Sequence, residues 1–168
     1  ICWAISWLHR NPEKLSRLRE DLRNRSSLGD LMKSDYLRWV CYESLRLNAI
    51  VPDTVRQLTQ PLELQEGTMP AGTNLAIAIC LVHGDPELYP RPQEFVPERW
   101  ENFNPRGNEF LPFGGGIRRC LGAGLAMLEL RIVLATWIRE LCFRLPKDAP
   151  EVESVYRRNI TMAPRSGI

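Results

Sequence analysis

The chain has 168 residues, of which 44% are hydrophobic and 25% charged, a balance typical of a soluble globular domain. Its net charge of +2 comes from scattered basic residues, with no Lys/Arg block or aromatic-basic alternation, so nucleic acid is not expected as a partner. Five cysteines without C-x-x-C spacing argue against a disulfide framework or a structural zinc site, and they favour a reducing compartment.

The first half of the chain is predicted to be helical. Asn11 and Pro12 are typical of an N-cap and first helical residue, and the helix they start is broken by the segment 26–30. A second amphipathic helix is predicted over residues 36–47. In that helix Glu43 and Arg46 stand three positions apart, so they share a face and can pair. An E-x-x-R pair alone is equally compatible with a solvated surface pair.

Short strands, turns and a long irregular segment follow. The apolar patterns predict strands at 54–59, 62–64 and 73–82, with turns at 66–67 and 69–73. A short helix is expected at 85–89. The proline-rich segment 90–111 is predicted to have little regular structure, which is unusual for so long a stretch, so it needs an anchor to the rest of the fold.

The clearest helix is predicted over residues 121–141, with a buried stripe at Leu125, Leu128, Ile132, Ala135 and Ile138. It follows a glycine-rich loop, residues 113–122, that reads Phe-Gly-Gly-Gly-Ile-Arg-Arg-Cys-Leu-Gly. The loop places Cys120 at the mouth of the helix, where unpaired N–H groups and the helix dipole favour a thiolate. The glycines permit close approach of a flat ligand. Without this context Cys120 would be interpreted as an ordinary buried cysteine.

This loop fits F-x-x-G-x-R-x-C-x-G at every fixed position, and it resembles the haem-ligand loop of the cytochrome P450 superfamily, the haem-thiolate monooxygenases. The resemblance implies a mainly α fold with small β-sheets (α+β), of which residues 1–168 would be the C-terminal, proximal part. It further implies a partial single domain truncated at both ends. Residues 1–9 would then be the last turns of the family's long distal helix.

A second segment carries the same resemblance. Residues 95–100 read Phe-Val-Pro-Glu-Arg-Trp, which is similar to the family's P-E-R-F segment with Trp in place of Phe. The resemblance implies that Glu43, Arg46 and Arg99 form one buried cluster. Buried charges persist only when they are paired and hydrogen-bonded, so this cluster is expected to hold the cysteine loop to the core and to have no catalytic role.

The resemblance also implies individual site roles. Cys120 would be the axial ligand of haem b, because sulfur donates electron density that favours O–O cleavage. Arg118 would pair with a haem propionate, and Arg56 is a second candidate, although a solvated strand arginine fits equally well. Phe113 would shield the sulfur. The other cofactor-contact candidates are Gly114, Gly116 and Gly122, and the candidates for a substrate pocket, which are equally compatible with plain core, are Ile50, Val51, Thr54, Thr161 and Met162.

The implied reaction is insertion of one oxygen atom from O₂ into an organic, apolar substrate, with electrons from a ferredoxin, flavodoxin or reductase. Arginines on the cysteine side would dock that acidic donor, and the candidates are Arg91, Arg106, Arg119 and Arg131. A cytoplasmic location is favoured, with membrane anchoring left open. The 168 residues alone are expected to bind haem weakly and to be inactive. Two other interpretations are a non-catalytic remnant of such an enzyme and a phosphate-binding module built on residues 114–116.

Overall fold

The computed structural model describes residues 1–142, 144, 146 and 153–165. Over these residues the chain is mainly helical with three small sheets, which confirms the predicted α+β class. The helices are α1 (Cys2–Arg10), α2 (Pro12–Leu22), α3 (Leu28–Met32), α4 (Asp35–Leu47), α5 (Ile79–His83) and α6 (Ala123–Glu140). The strands are β1 (Asp53–Gln57), β2 (Leu62–Leu64), β3 (Gly67–Met69), β4 (Asn74–Ala78), β5 (Val155–Arg158) and β6 (Thr161–Pro164). Among these helices none combines the length and apolarity needed to cross a membrane.

Helix α2 begins where the sequence predicts, but the predicted side-chain cap is absent. Asn11 precedes α2 and Pro12 is its first residue, but the Asn11 amide donates to the Trp7 carbonyl at 2.8 Å and does not cap α2. The predicted break after this helix is confirmed, since α2 ends at Leu22. Within 26–30, however, Ser27 caps a new short helix, α3, by accepting the Asp30 N–H at 3.1 Å. Helix α4 starts after Ser34, whose hydroxyl accepts the Leu37 N–H at 2.9 Å.

The strands form three antiparallel pairs, β1 with β4, β2 with β3 and β5 with β6. The predicted strand 73–82 is wrong beyond Ala78, because α5 begins at Ile79. Ile79 and His83 are four residues apart and both are buried, whereas Leu81 is exposed, which is the helical pattern. The predicted helix 85–89 is also wrong. Those residues form turns, and the Asp85 carboxylate accepts the Glu87 N–H at 2.9 Å.

The core lies between helices α1, α2, α4 and α6. Its fully buried residues include Leu8, Leu18, Leu37, Val40 and Leu134. Helix α6 is present as predicted, but the predicted stripe is wrong at Leu125 and Leu128, which are 62% and 40% exposed, and Ile132 is only half-buried. The N-terminal half of α6 is apolar on several faces, so helical periodicity alone does not identify the inward one. The buried face runs through Ala123, Leu130, Leu134, Ala135 and Ile138.

The proline-rich segment is held by aromatic packing. Its one regular element in the described chain is a 3₁₀ turn at Pro97–Glu101. The ring of Trp100 lies 4.6 Å from that of Phe110 and 5.3 Å from that of Tyr42 on α4, measured between centroids. The Tyr89 hydroxyl donates to the Glu109 carbonyl at 2.7 Å. Burial of these rings therefore attaches an irregular segment to α4.

An ionic cluster around Glu98 ties the same segment to α2 and α4. Its carboxylate accepts hydrogen bonds from Lys14 at 3.0 Å, Arg17 at 2.9 Å and the Tyr36 hydroxyl at 3.1 Å. Burial by itself raises the pKa of Glu98. The hydrogen bonds from its own backbone N–H, Lys14 and Tyr36 outweigh burial and lower that pKa below its ordinary value of 4.5.

We predict that Glu98→Gln lowers the free energy of unfolding by about 1 kcal/mol at neutral pH. Because the folded-state pKa is depressed, the carboxylate stabilises the fold fully above pH 4.5, and this contribution is lost as pH falls through the folded pKa. The difference between wild type and variant in urea denaturation should therefore shrink below pH 4.5. Glu101→Gln, at an exposed residue of the same 3₁₀ turn, is the control and should have little effect at any pH.

Candidate haem-ligand site

The loop 113–122 is closed by its own backbone hydrogen bonds. The Cys120 N–H donates to the Phe113 carbonyl at 2.9 Å, and the Arg119 N–H donates to the Gly116 carbonyl at 3.1 Å. A 3₁₀ turn at Gly116–Arg118 lies between them. Both bonds join backbone groups within the loop. Cys120 itself is exposed. The fold thus presents one thiol on a self-supported turn.

Two of the loop glycines are required by backbone conformation. Gly114 has φ of 69° and Gly116 has φ of 62°, values that a residue with a Cβ rarely adopts. A Cβ at either position would meet none of the described residues within 4 Å, so close packing against that part of the chain does not require glycine here. Among the described residues, the space beside both glycines is open, and close approach of a flat group at this loop stays a prediction.

The thiol lies beside the start of α6. Gly122 is the N-cap, Ala123 is the first helical residue, and the Ala123 N–H reaches the Cys120 carbonyl at 3.4 Å. A Cβ built on Gly122 would be 3.8 Å from Cys120 Sγ, so the sulfur is next to the helix end. Unpaired N–H groups and the dipole at this end favour negative charge on a nearby atom.

A cavity of about 480 Å³ opens over the loop and brings together eight of the predicted residues. They are Cys120, Arg118, Phe113, Gly114, Arg56, Ile50, Val51 and Thr54. Sequence reasoning missed other wall residues, including Leu45 on α4 and the α6 residues Ala126 and Leu130. The α6 pair is spaced four apart and could have been found by extending the helical face from Gly122.

Two arginines give this cavity its positive charge. Arg118 lies exposed in the 3₁₀ turn and makes no ion pair with the described residues. Arg56 lies on β1, opposite Leu75 on β4, and its guanidinium donates to the Val55 carbonyl at 2.8 Å. Glu129 is an acidic residue on the same wall. Both guanidinium groups retain donors for an anionic group at the cavity edge.

Four predicted site residues do not line this cavity. Gly116 and Gly122 shape the loop without facing the cavity. Met162 lies on β6 and lines a separate cavity of about 230 Å³ beside Arg46, although its N–H donates to the Ile50 carbonyl at 2.7 Å. The Thr161 hydroxyl donates to the Arg158 carbonyl at 2.9 Å. Strand β6 is therefore hydrogen-bonded to Ile50, which lines the cavity of Cys120, although Met162 itself faces the other cavity.

The structure brings Glu43, Arg46 and Arg99 into one buried cluster. Glu43 Oε1 accepts from Arg46 Nη2 at 2.9 Å, Arg99 Nε at 3.0 Å and the Val96 N–H at 3.0 Å. Glu43 Oε2 accepts from Arg46 Nε at 3.0 Å and Trp100 Nε1 at 2.9 Å. Both side chains of the Glu43–Arg46 pair are at most 1% exposed. Five N–H donors satisfy the carboxylate, which is the condition for burying a charge.

The Trp100 contact explains a departure from the expected motif. At this position the sequence carries Trp where P-E-R-F has Phe. The indole N–H donates to Glu43, and a phenyl ring has no such donor. The aromatic ring keeps its packing against Phe110 and Tyr42 while adding one hydrogen bond to the cluster.

The expected arginine docking surface is only partly present. Arg131 is half-buried and donates to the Met32 and Ser34 carbonyls, so the prediction that it faces a partner is wrong. Arg91 pairs with Glu94 at 2.7 Å, and Arg106 is 3.9 Å from Glu109. Neighbouring carboxylates reduce the net charge that these two residues offer. Arg119 is exposed and forms no ion pair within the described chain.

Comparison with known proteins identifies the family of this chain. The family model described as Cytochrome P450 matches residues 1–167, so the chain belongs to the cytochrome P450 family. A protein of Mycobacterium bovis with the provisional name cytochrome P450 135B1 is 36% identical over 167 residues, covering 99% of this chain. Beta-amyrin 11-oxidase of Glycyrrhiza uralensis is 34% identical over 161 residues, covering 90% of this chain.

The fold is also that of solved structures. The heme domain of cytochrome P450DA superposes with a TM-score of 0.86 at 22% identity, covering 96% of this chain and 38% of that one. The match spans 35% of the Mycobacterium bovis relative and 32% of the Glycyrrhiza uralensis relative. The chain therefore spans about one third of the length of the curated relatives it matches.

We predict that Glu43→Ala and Arg46→Ala each lower the free energy of unfolding by about 3–5 kcal/mol. Glu43→Ala leaves the buried Arg46 guanidinium without its counter-charge, and Arg46→Ala removes two of the five donors to the buried carboxylate. Urea denaturation measures the effect. Glu94→Ala is the matched control, since Arg91 and Glu94 have the same three-residue spacing but are exposed, and its effect should be under about 1 kcal/mol. Similar losses of stability at the two pairs would contradict the prediction that burial makes the Glu43–Arg46 pair more sensitive to substitution.

Proposed function

We propose that residues 1–168 form the cysteine-ligand part of a haem-thiolate monooxygenase and work as a partial domain within a longer chain. The observation that carries the proposal is the single thiol of Cys120 at the mouth of a largely apolar cavity that also receives Arg118 and Arg56. Membership of the cytochrome P450 family supports it.

The residues fit haem b by their chemistry. Cys120 would supply a soft anionic sulfur ligand to the haem iron. Phe113 lines the same cavity as Cys120 and would shield the sulfur from water once the group is bound. Arg118 would hold a propionate by charge-assisted hydrogen bonds, and Arg56, at the same cavity, is the second candidate. When bound, haem supplies the iron at which O₂ is activated for insertion of one oxygen atom.

The substrate-side residues favour an apolar organic compound. Ile50 and Val51 lie in the segment between α4 and β1, and Leu45, Ile79 and Leu130 extend the same apolar wall. Thr54 on β1 adds one hydroxyl at the cavity. Burial of apolar substrate surface against these side chains is the driving force for binding. Electrons come from an acidic ferredoxin, flavodoxin or reductase, with Arg119 as the exposed cation nearest the cysteine in sequence.

Hydrogen bonding in the loop disfavours the phosphate-binding alternative. A phosphate loop presents free N–H groups at a helix N-terminus. Of residues 114–116, the Gly114 N–H already donates to the Leu111 carbonyl, and α6 begins only at Ala123, seven residues after Gly116. The intact hydrogen bonding of Glu43, Arg46 and Arg99 also weighs against a degenerate remnant, because a remnant has no need to retain a costly buried charge.

The proposal is tested by the absorption of the full-length gene product after reduction and exposure to carbon monoxide. We predict the red-shifted band of thiolate-ligated haem, and we predict that Cys120→Ala abolishes it by removing the ligand. Cys142→Ala, which removes an exposed cysteine just after α6, should retain the band. A wild-type protein without this band, or a Cys120→Ala variant that keeps it, would overturn the proposed function.

The role of Arg118 has its own test. We predict that Arg118→Ala increases the rate of haem transfer to a haem-scavenging protein by about tenfold or more, because a charge-assisted contact is lost. Arg119→Ala is the matched control, since Arg119 is adjacent and exposed but does not line the cavity of Cys120. Equal transfer rates in the two variants would contradict the propionate assignment.

A further inference from the structure

His83, at the C-terminal end of α5, connects two parts of the site that are far apart in sequence. It is 2% exposed. Its backbone carbonyl accepts a hydrogen bond from Arg46 Nη1 at 2.8 Å, which joins it to the buried Glu43 cluster. Its ring nitrogen Nε2 accepts the Leu111 N–H at 2.8 Å. One residue therefore binds the ion cluster through its backbone and the approach to the cysteine loop through its side chain.

Leu111 in turn determines where the loop begins. Its carbonyl accepts the Gly114 N–H at 3.0 Å, and its side chain packs so closely that a Cβ on Gly115 would be 3.1 Å from Leu111 Cδ2. The Phe113 carbonyl, within this turn, accepts the Cys120 N–H. A continuous series of hydrogen bonds thus runs from Glu43 through His83 and the 111–114 turn to the cysteine.

The His83 ring is held in the form that this contact needs. It packs against Phe110 at 5.4 Å and Tyr89 at 6.4 Å between centroids. Burial lowers the pKa of His83 to about 4, so the ring is neutral at physiological pH. Since Nε2 accepts the Leu111 N–H, the proton lies on Nδ1, which has no partner among the described residues. The ionisable side chains nearby are the Arg46 guanidinium and the Tyr89 phenol.

We infer that His83 is a positioning residue, which holds the Leu111–Gly114 turn so that Cys120 stays oriented for thiolate ligation. The inference rests on the proposed haem-thiolate function and adds a specific support to it. Histidine is used because Nε2 is an acceptor at the end of a rigid ring. Loss of this acceptor leaves the Leu111 N–H without its partner and frees the start of the loop, whereas loss of ring packing alone does not.

Two substitutions separate the acceptor from the packing. His83→Gln places an amide oxygen near the position of Nε2 and can restore the bond. His83→Leu keeps apolar volume but has no acceptor. Tyr89→Phe is the matched control, because it removes a hydrogen bond from the same aromatic cluster to Glu109, outside the loop. If His83→Leu does not accumulate, His83→Asn replaces it, since its amide reaches only the level of Nδ1.

The measurement is the ratio of thiolate-ligated to other haem in the reduced carbon monoxide spectrum of the full-length gene product, with urea stability determined in parallel. We expect His83→Leu or His83→Asn to raise the non-thiolate share relative to the thiolate share by about tenfold, as loss of one hydrogen bond implies. His83→Gln should lie within about twofold of wild type, and Tyr89→Phe should lose stability without changing the ratio.

The outcomes distinguish the two proposals. If wild type lacks the thiolate band, the proposed function fails and the role of His83 fails with it. If wild type shows the band and His83→Leu or His83→Asn matches it, the positioning role alone is overturned. The positioning role is also overturned if His83→Gln behaves like the variant without an acceptor, or if Tyr89→Phe changes the ratio equally, because either result indicates packing or general stability.

Discussion

The carboxylate of Glu43 is the interaction on which the rest of this structure depends. It is fully buried on α4 and is satisfied by N–H donors from Arg46, Val96, Arg99 and Trp100. An unpaired charge at this depth would destabilise the fold by several kcal/mol. The irregular segment after Pro90 must therefore fold back onto α4 for the charge to be tolerated. That return fixes the chain just ahead of the cysteine loop.

The loop and the cavity follow from this anchor. The segment between Trp100 and Leu111 is held by ring packing and by the Tyr89–Glu109 hydrogen bond, so the loop leaves a fixed base. Backbone hydrogen bonds within the loop then determine where Cys120 lies. Helix α6, which follows the loop, is anchored in the core by the buried residue Leu134. The position of the Cys120 thiol is thus fixed by three features of the fold. They are the buried Glu43 cluster, the aromatic packing of the segment before the loop, and helix α6 after it.

Much of this arrangement could be predicted from the sequence, because its signals are local or carried by a specific motif. The helical periodicity around Leu37 and the residues around Cys120 and Arg99 identified α4, the loop and the cluster. What failed depends on tertiary context. The sequence predicts a strand at Ile79 because a short apolar run fits both the strand and the helix period, but Ile79 starts α5. It predicts that Leu125 is buried, but α6 is apolar on several faces and Leu125 is exposed. The half-buried state of Arg131 depends on carbonyls at the end of α3 and just after it, which no local pattern reveals.

Because several donors surround Glu43, we expect substitution of one neutral donor to be tolerated better than substitution of Glu43 itself. Several N–H groups converge on one acceptor, so a mutation that removes a single donor, such as the Trp100 indole, still leaves the anion well solvated by the protein. Removal of the Glu43 carboxylate leaves all of these N–H donors without their acceptor. Natural variation should accordingly be tolerated at the neutral donor, with tryptophan and phenylalanine exchanging at position 100, while the charged pair at positions 43 and 46 stays invariant.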